Sequence, residues 1–149
     1  TITIKTKNSQ HYLSYVQDIV VDQSAENIPN LIITNTGDPV EYILRSKAVI
    51  GFYSTTLVEG VLAEKMIISP YFGDIITDGA WDHFFKYPEL VNYAKSKYEI
   101  ETLLKDENTK GFDVDKKEAF LGDTIYCADG KASLRAENEI IKSITRHLK

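Results

Sequence analysis

Residues 47–70, Lys-Ala-Val-Ile-Gly-Phe-Tyr-Ser-Thr-Thr-Leu-Val-Glu-Gly-Val-Leu-Ala-Glu-Lys-Met-Ile-Ile-Ser-Pro, restrict the chain's fold more than any other stretch. Ala48 to Phe52 is a short apolar run, long enough for a buried strand and too short for a helix. Gly51 near its end permits a sharp turn. Ser54 is a good N-cap, with Thr55 and Thr56 opening a helix. Met66 to Ser69 reads as a second buried strand, stopped by Pro70. Strand, helix and strand this close together imply two parallel strands joined by a right-handed crossover.

At 100° per residue, Leu57, Val58, Val61 and Leu62 of this helix share one arc and are expected to face a sheet. Thr55 and Glu59, four apart, share the other face, with Glu59 roughly 6 Å further along the axis. The first turn offers free N–H groups and the positive end of the helix dipole, which suit a phosphate. A carboxylate one turn on can accept hydrogen bonds from sugar hydroxyls. The spacing matches phosphate followed by ribose, as in a nucleotide.

The rest of the chain alternates in the same way. Thr1 to Thr6 reads as a strand, Asn8 to Val20 as a helix capped by Asn8 or Ser9, and Leu31 to Thr34 as a second strand. The helix presents Tyr12, Leu13, Val16 and Ile19 as its apolar face. Asn35 to Asp38 is a turn, and Asp38-Pro39 opens a short helix through Arg45. Tyr71 to Phe85 reads as a long loop on the functional side, with Gly73, Gly79 and several aromatics. Short helices are expected over Pro88–Lys95 and Lys116–Leu121, a longer one over Lys97–Asp106, and an irregular stretch over Gly122–Asp129. A final helix runs from Lys131 to about Leu148, with Ile140, Ile141, Ile144 and Leu148 at helical spacing. That stripe is either core or a docking face for a partner domain.

Together these features predict one α/β domain over residues 1–149, Rossmann-like, with a mainly parallel sheet between helical layers. Ligands in such sheets bind beyond the carboxyl ends of the strands. Those ends are Thr6-Lys7, Asn35–Asp38, Tyr53–Thr56 and Ser69–Gly73, and all carry polar groups or glycine. The net charge of −5, without a basic stripe, argues against a nucleic-acid partner. One cysteine, Cys127, cannot form an internal disulfide and fits a reducing, cytoplasmic setting. The first residue falls inside an expected strand, as in a domain excised from a larger enzyme. Asp74, Asp78, Asp82 and His83 invite a metal reading, but loop polarity accounts for them better. Lys5 and Lys7 read first as solvated charge at a strand end.

Several stretches resemble the C-terminal, nucleotide-binding half of bacterial GT-B glycosyltransferases for capsule and surface polysaccharides, a group related to CMP-sugar and CDP-glycerol-type transferases. They are Ile2-Thr3-Ile4-Lys5, Asp38 through Ser54, Ser54-Thr55-Thr56-x-x-Glu59 with Ala63 to Ile68 after it, and Asp129-Gly130-Lys131-Ala132-Ser133. The resemblance implies that Ser54, Thr55 and Thr56 bind donor phosphate and that Glu59 binds ribose. It implies that residues near Thr36, Gly37 and Asp38 and near Ser69 and Pro70 flank the base. Thr6-Lys7 stands where the family often has His-Pro, so Lys7 is the stand-in for a phosphate-contacting histidine. Gly60 follows Glu59 where alanine is usual, which weakens the helix by up to ~1 kcal/mol but allows close approach.

The implied function is donor binding for transfer of a sugar or polyol phosphate from an activated nucleotide to a glycan acceptor. No cofactor or metal is expected, the catalytic residues are unassigned, and the partner is a missing N-terminal half. The implied location is the cytoplasm, with membrane contact only through the parent enzyme. Two other classes fit the same sequence: a non-catalytic Rossmann-like interaction domain, and half of a sugar-nucleotide epimerase.

Overall fold

The computed structural model describes residues 1–23, 27–52, 54–71, 83–106 and 113–147. Among these residues, five short strands and six α-helices follow in the order β1 (Ile2–Lys5), α1 (Gln10–Asp22), β2 (Leu31–Thr34), α2 (Pro39–Arg45), β3 (Ala48–Ile50), α3 (Thr55–Leu62), β4 (Met66–Pro70), β5 (Asn92–Ala94), α4 (Lys97–Lys105), α5 (Val114–Ile125) and α6 (Ala132–His147). Every pairing is parallel. β1 pairs with β2, and β4 lies between β3 and β5, so the mixed α/β class expected from the sequence is present. The strands form two sheets, of two and three strands, rather than one. None of the helices is long and apolar enough to cross a membrane among the described residues.

The β3–α3–β4 unit follows from its punctuation. Ser54 is extended, and its hydroxyl accepts the Thr56 N–H at 3.2 Å, which starts the helix where the sequence predicts. Asp38 caps α2 in the same way, accepting the Val40 N–H at 2.9 Å, with Pro39 in the first turn. Pro70 does not stop β4 but ends it from within. The Tyr71 N–H donates to the Ala94 carbonyl at 2.7 Å, so the residue without an N–H falls between the two ladder bonds to β5.

The core sits around β4 and obeys the period of two. Ile67 packs among Leu57, Val58, Val61, Phe84, Phe120 and neighbouring apolar groups, on the side of α3 and α5. Met66 and Ile68 join Ala94 on the other side, against Ile100 and Leu103 of α4. Phe84 stacks on Phe120 with centroids 5.0 Å apart, and Tyr87 meets Phe120 edge-on.

Four expectations need correction. Leu62 is 45% exposed, whereas Gly60 is buried with Leu57, Val58 and Val61. Relative to Leu57, Gly60 points about −60° and Leu62 about 140° round the helix, so a buried arc that includes the glycine leaves Leu62 outside. The arc includes the glycine because α3 lies so close to the sheet: a Cβ there would fall 2.6 Å from Ile67 Cδ1. The helix expected over Pro88–Lys95 is one 3-10 turn followed by β5, a strand too short to show periodicity. α5 runs through Ile125, past Gly122, because Phe120 and Leu121 anchor it in the core.

The fourth correction concerns apolar faces. On α1, Leu13, Val16 and Val20 are half-buried against the sheet while Tyr12 and Ile19 turn outward. On α6, Ile140, Ile141 and Ile144 are each more than half exposed, as is Leu134, so this part of the stripe is not core among the described residues; Leu148 lies outside them. Most of the expected loop after Tyr71, including Asp74, Asp78 and Asp82, lies outside the described residues.

Candidate functional site

The chain runs from β1 outward to β2, then starts again at β3 and runs the other way through β4 to β5. β1 and β3 line the two sides of one cleft, so the two sheets adjoin there and the direction of strand order changes between them, the kind of place where α/β sheets bind ligands. α3 begins just after β3, and its first residues stand at this reversal.

Two clefts flank the N-terminal half of α3. One, of about 510 Å³, is lined by Thr55, Val58, Glu59, His83, Asp123 and neighbours at the end of α5. The other, of about 410 Å³, lies between β1 and β3 under α2 and includes Thr56, Lys5 and Arg45. The first turn of α3 is thus exposed to solvent on both flanks, with hydroxyls on each.

The i, i+4 pair expected to share a face, Thr55 and Glu59, does line one cleft. Both are exposed, opposite the buried arc of Leu57, Val58, Gly60 and Val61. Thr56 turns to the other cleft, so the three hydroxyls expected to act together are divided. Ser54 caps the helix and lines neither cleft.

The remaining expected residues are placed as follows. The Lys7 ammonium sits over the Tyr12 ring, 5.5 Å from its centroid, and the residue lines neither cleft. Lys5 does line one, with Arg45, and its ammonium donates to the carbonyls of Thr6 (2.7 Å) and Asn35 (3.1 Å) at the ends of β1 and β2. Thr36 is tied to Thr34, its N–H donating to the Thr34 hydroxyl at 3.1 Å. Gly37 adopts φ +83° under the Tyr42 ring, a position where a Cβ would lie 2.8 Å from the Tyr42 hydroxyl. Asp38 is the α2 cap. Ser69 and Pro70 belong to β4, with Pro70 buried. None of these five lines either cleft.

Sequence reasoning missed Asp123 and Thr124, and it grouped His83 with acids of the preceding loop. Asp123 accepts a hydrogen bond from the Tyr87 hydroxyl at 2.9 Å and pairs with Lys86 at 3.6 Å. The same carboxylate raises the Tyr87 pKa. The signal for Asp123 was the spacing Phe120-Leu121-x-x-x-Ile125, which extends α5 to the cleft. Glu59, Asp123, His83 and two threonine hydroxyls can accept or donate hydrogen bonds to a polyhydroxylated ligand. Its volume is within the range of small-molecule sites. Among the described residues, no group of three or more His, Cys, Asp or Glu is placed to hold a metal ion.

The Asp129-Gly130-Lys131 motif lines neither cleft and forms a hydrogen-bonded turn at the start of α6. Asp129 accepts the Lys131 N–H at 3.0 Å and the Arg135 guanidinium at 2.7 and 2.8 Å. The Arg135 guanidinium, first among the causes, holds its carboxyl down at about 2. Arg135 also lies over the Tyr126 ring, whose backbone has φ 67°.

Comparison of the chain with protein-family models, with curated proteins and with solved structures finds no match in any of the three.

Proposed function

We propose that the chain is the donor-binding half of a GT-B glycosyltransferase. In this reading it holds an activated nucleotide from which a sugar or polyol phosphate passes to a surface polysaccharide acceptor. The observation that carries it is the shared cleft of Thr55 and Glu59 on the solvent face of α3, between the start of that helix and the end of α5. The phosphate lies at the first turn of α3, where the helix dipole and the Thr55 hydroxyl favour negative charge. The ribose lies one turn on, where Glu59 accepts from its hydroxyls. His83 and Asp123 close the far side of the cleft, toward the transferred group. Lys5 and Arg45 on the opposite flank add positive potential at the same helix end.

The contribution to catalysis is electrostatic. The helix end stabilises the charge that develops on the nucleotide phosphate as it leaves. The base that activates the acceptor hydroxyl belongs to the N-terminal half, and the uncovered stripe of α6 offers that half a docking face. The sequence resemblance supports the acceptor class, a cytoplasmic location and the three-layer architecture. Titration calorimetry of CMP, CDP, UDP and GDP tests the reading. At least one is expected to bind, without turnover, and Glu59→Ala is expected to weaken it about tenfold or more, as loss of a charged hydrogen-bond acceptor does. Absence of binding by all four nucleotides rejects the site.

A further inference from the structure

The gap between β1 and β3 has a backbone pattern that calls for an occupant. The Ile2 N–H donates to the Asn30 carbonyl and the Thr6 N–H to the Thr34 carbonyl. In a parallel strand, N–H and C=O of one residue point to the same side and alternate along the chain. Ile2, Ile4 and Thr6 therefore bond to β2, and the backbone groups of Thr3 and Lys5 point the other way, into the gap. On β3, the Gly51 N–H donates to the Ile68 carbonyl, so Val49 and Gly51 bond to β4 and the backbone groups of Ala48 and Ile50 point into the gap from the opposite side. Two strand edges thus face one another without pairing. The connection from β2 to β3 over residues 35–47 carries α2 and has the length of a crossover that keeps strands parallel.

We propose that this gap is a slot for one extended strand parallel to β1 and β3, supplied by the polypeptide that precedes Thr1. Size agrees. A four-residue strand covers about 13 Å by 4.8 Å in the plane of a sheet, and the gap of about 410 Å³ leaves a depth of roughly 6.5 Å over that footprint, room for a backbone and the first side-chain atoms. Chemistry agrees too. Tyr42, Ile43 and Val49 line the slot together with Lys5 and Arg45, so the occupant meets an apolar surface toward the first three and a polar one toward the cations. Topology selects the source. With one strand inserted, the sheet reads β2, β1, inserted strand, β3, β4, β5. That is the doubly wound order 3-2-1-4-5-6, in which the inserted strand comes first in the chain and reaches β1 through a crossover helix. A direct β1–β3 pairing would give the other doubly wound order, and the open slot is what separates the two. The inference does not depend on the nucleotide reading.

Amide hydrogen exchange by NMR tests it, on residues 1–149 and on the natural polypeptide extended upstream of Thr1. In residues 1–149 the amides of Thr3, Lys5, Ala48 and Ile50 are expected to exchange at least about a hundredfold faster than those of Ile4, Thr6, Val49 and Gly51. In the longer polypeptide the two sets are expected to exchange alike, at any protein concentration. Equal protection of both sets in residues 1–149 as a monomer would overturn the proposal, because β1 and β3 would then pair directly. Fast exchange of the first set in the longer polypeptide would overturn it as well. Protection that rises with protein concentration would assign the slot to a second copy and equally overturn it.

Discussion

Gly60→Ala probes the packing that turns Thr55 and Glu59 to solvent. Two effects oppose each other. Alanine favours a helix interior over glycine by about 1 kcal/mol. The new methyl, however, would lie 2.6 Å from Ile67 Cδ1 and 3.2 Å from Val49 Cγ2. Ile67 is fully buried, so its terminal carbon has no open side to move into. Overpacking of this kind costs about 1–3 kcal/mol, and the overpacking wins. We expect a net loss of about 1 kcal/mol, read in urea as a midpoint lower by about 0.5 M with an unchanged slope. Ile67→Val removes the clashing carbon. Alone it costs about 1 kcal/mol, but in the Gly60→Ala background it should cost nothing, a coupling of about 1 kcal/mol. A Gly60→Ala protein more stable than the wild type, or strict additivity in the cycle, would refute the close helix–sheet approach and with it the orientation of the Thr55–Glu59 face.

Other expectations follow from the same geometry. Leu57→Ala, at a side chain 2% exposed, should cost about 2–5 kcal/mol in chemical denaturation, and Leu62→Ala less than about 1 kcal/mol; comparable losses would contradict the revised helix arc. Ser54→Ala should destabilise by about 1 kcal/mol through loss of the cap to Thr56, and Ser54→Gly by only a few tenths. The Asp129 carboxyl is depressed from 3.8 to about 2, so its contribution to stability is complete above 3.8 and disappears as pH falls through about 2. Side-chain NMR titration should show that low value in the wild type and a return toward 3.8 in Arg135→Gln; an ordinary value in the wild type would remove the clamp.

The β3–α3–β4 unit was legible because every boundary carries its own chemistry. Ser54 can cap, the residues after β3 can turn, and the runs Ala48–Ile50 and Met66–Ile68 are apolar enough to be strands. Asp38-Pro39 gave α2 for the same reason. β5 was not legible, because Asn92-Tyr93-Ala94 has no β-branched residue and becomes a strand only by pairing with the end of β4. Gly122 stood where the helix was expected to end, and the buried ring of Phe120 overrode it. Leu62 was misplaced because a glycine was not counted on the buried arc, although close packing is what glycine permits. The cleft divides similarly. Thr55 and Glu59 sit on one helix and their spacing reveals them, whereas His83 and Asp123 reach it only through the packing of α3 with α5 and the turn at Phe84.

The account rests on Glu59 holding the ribose of a nucleotide whose phosphate lies at the first turn of α3. Calorimetric titration of a ribonucleoside diphosphate and its 2′-deoxy analogue, against wild type and Glu59→Ala, addresses this directly. The account predicts that the wild type prefers the ribonucleotide, since one hydrogen bond to a carboxylate contributes about 1.5–3 kcal/mol, and that the preference disappears in Glu59→Ala. Equal affinity of the wild type for both ligands, or a preference that survives Glu59→Ala, would contradict it.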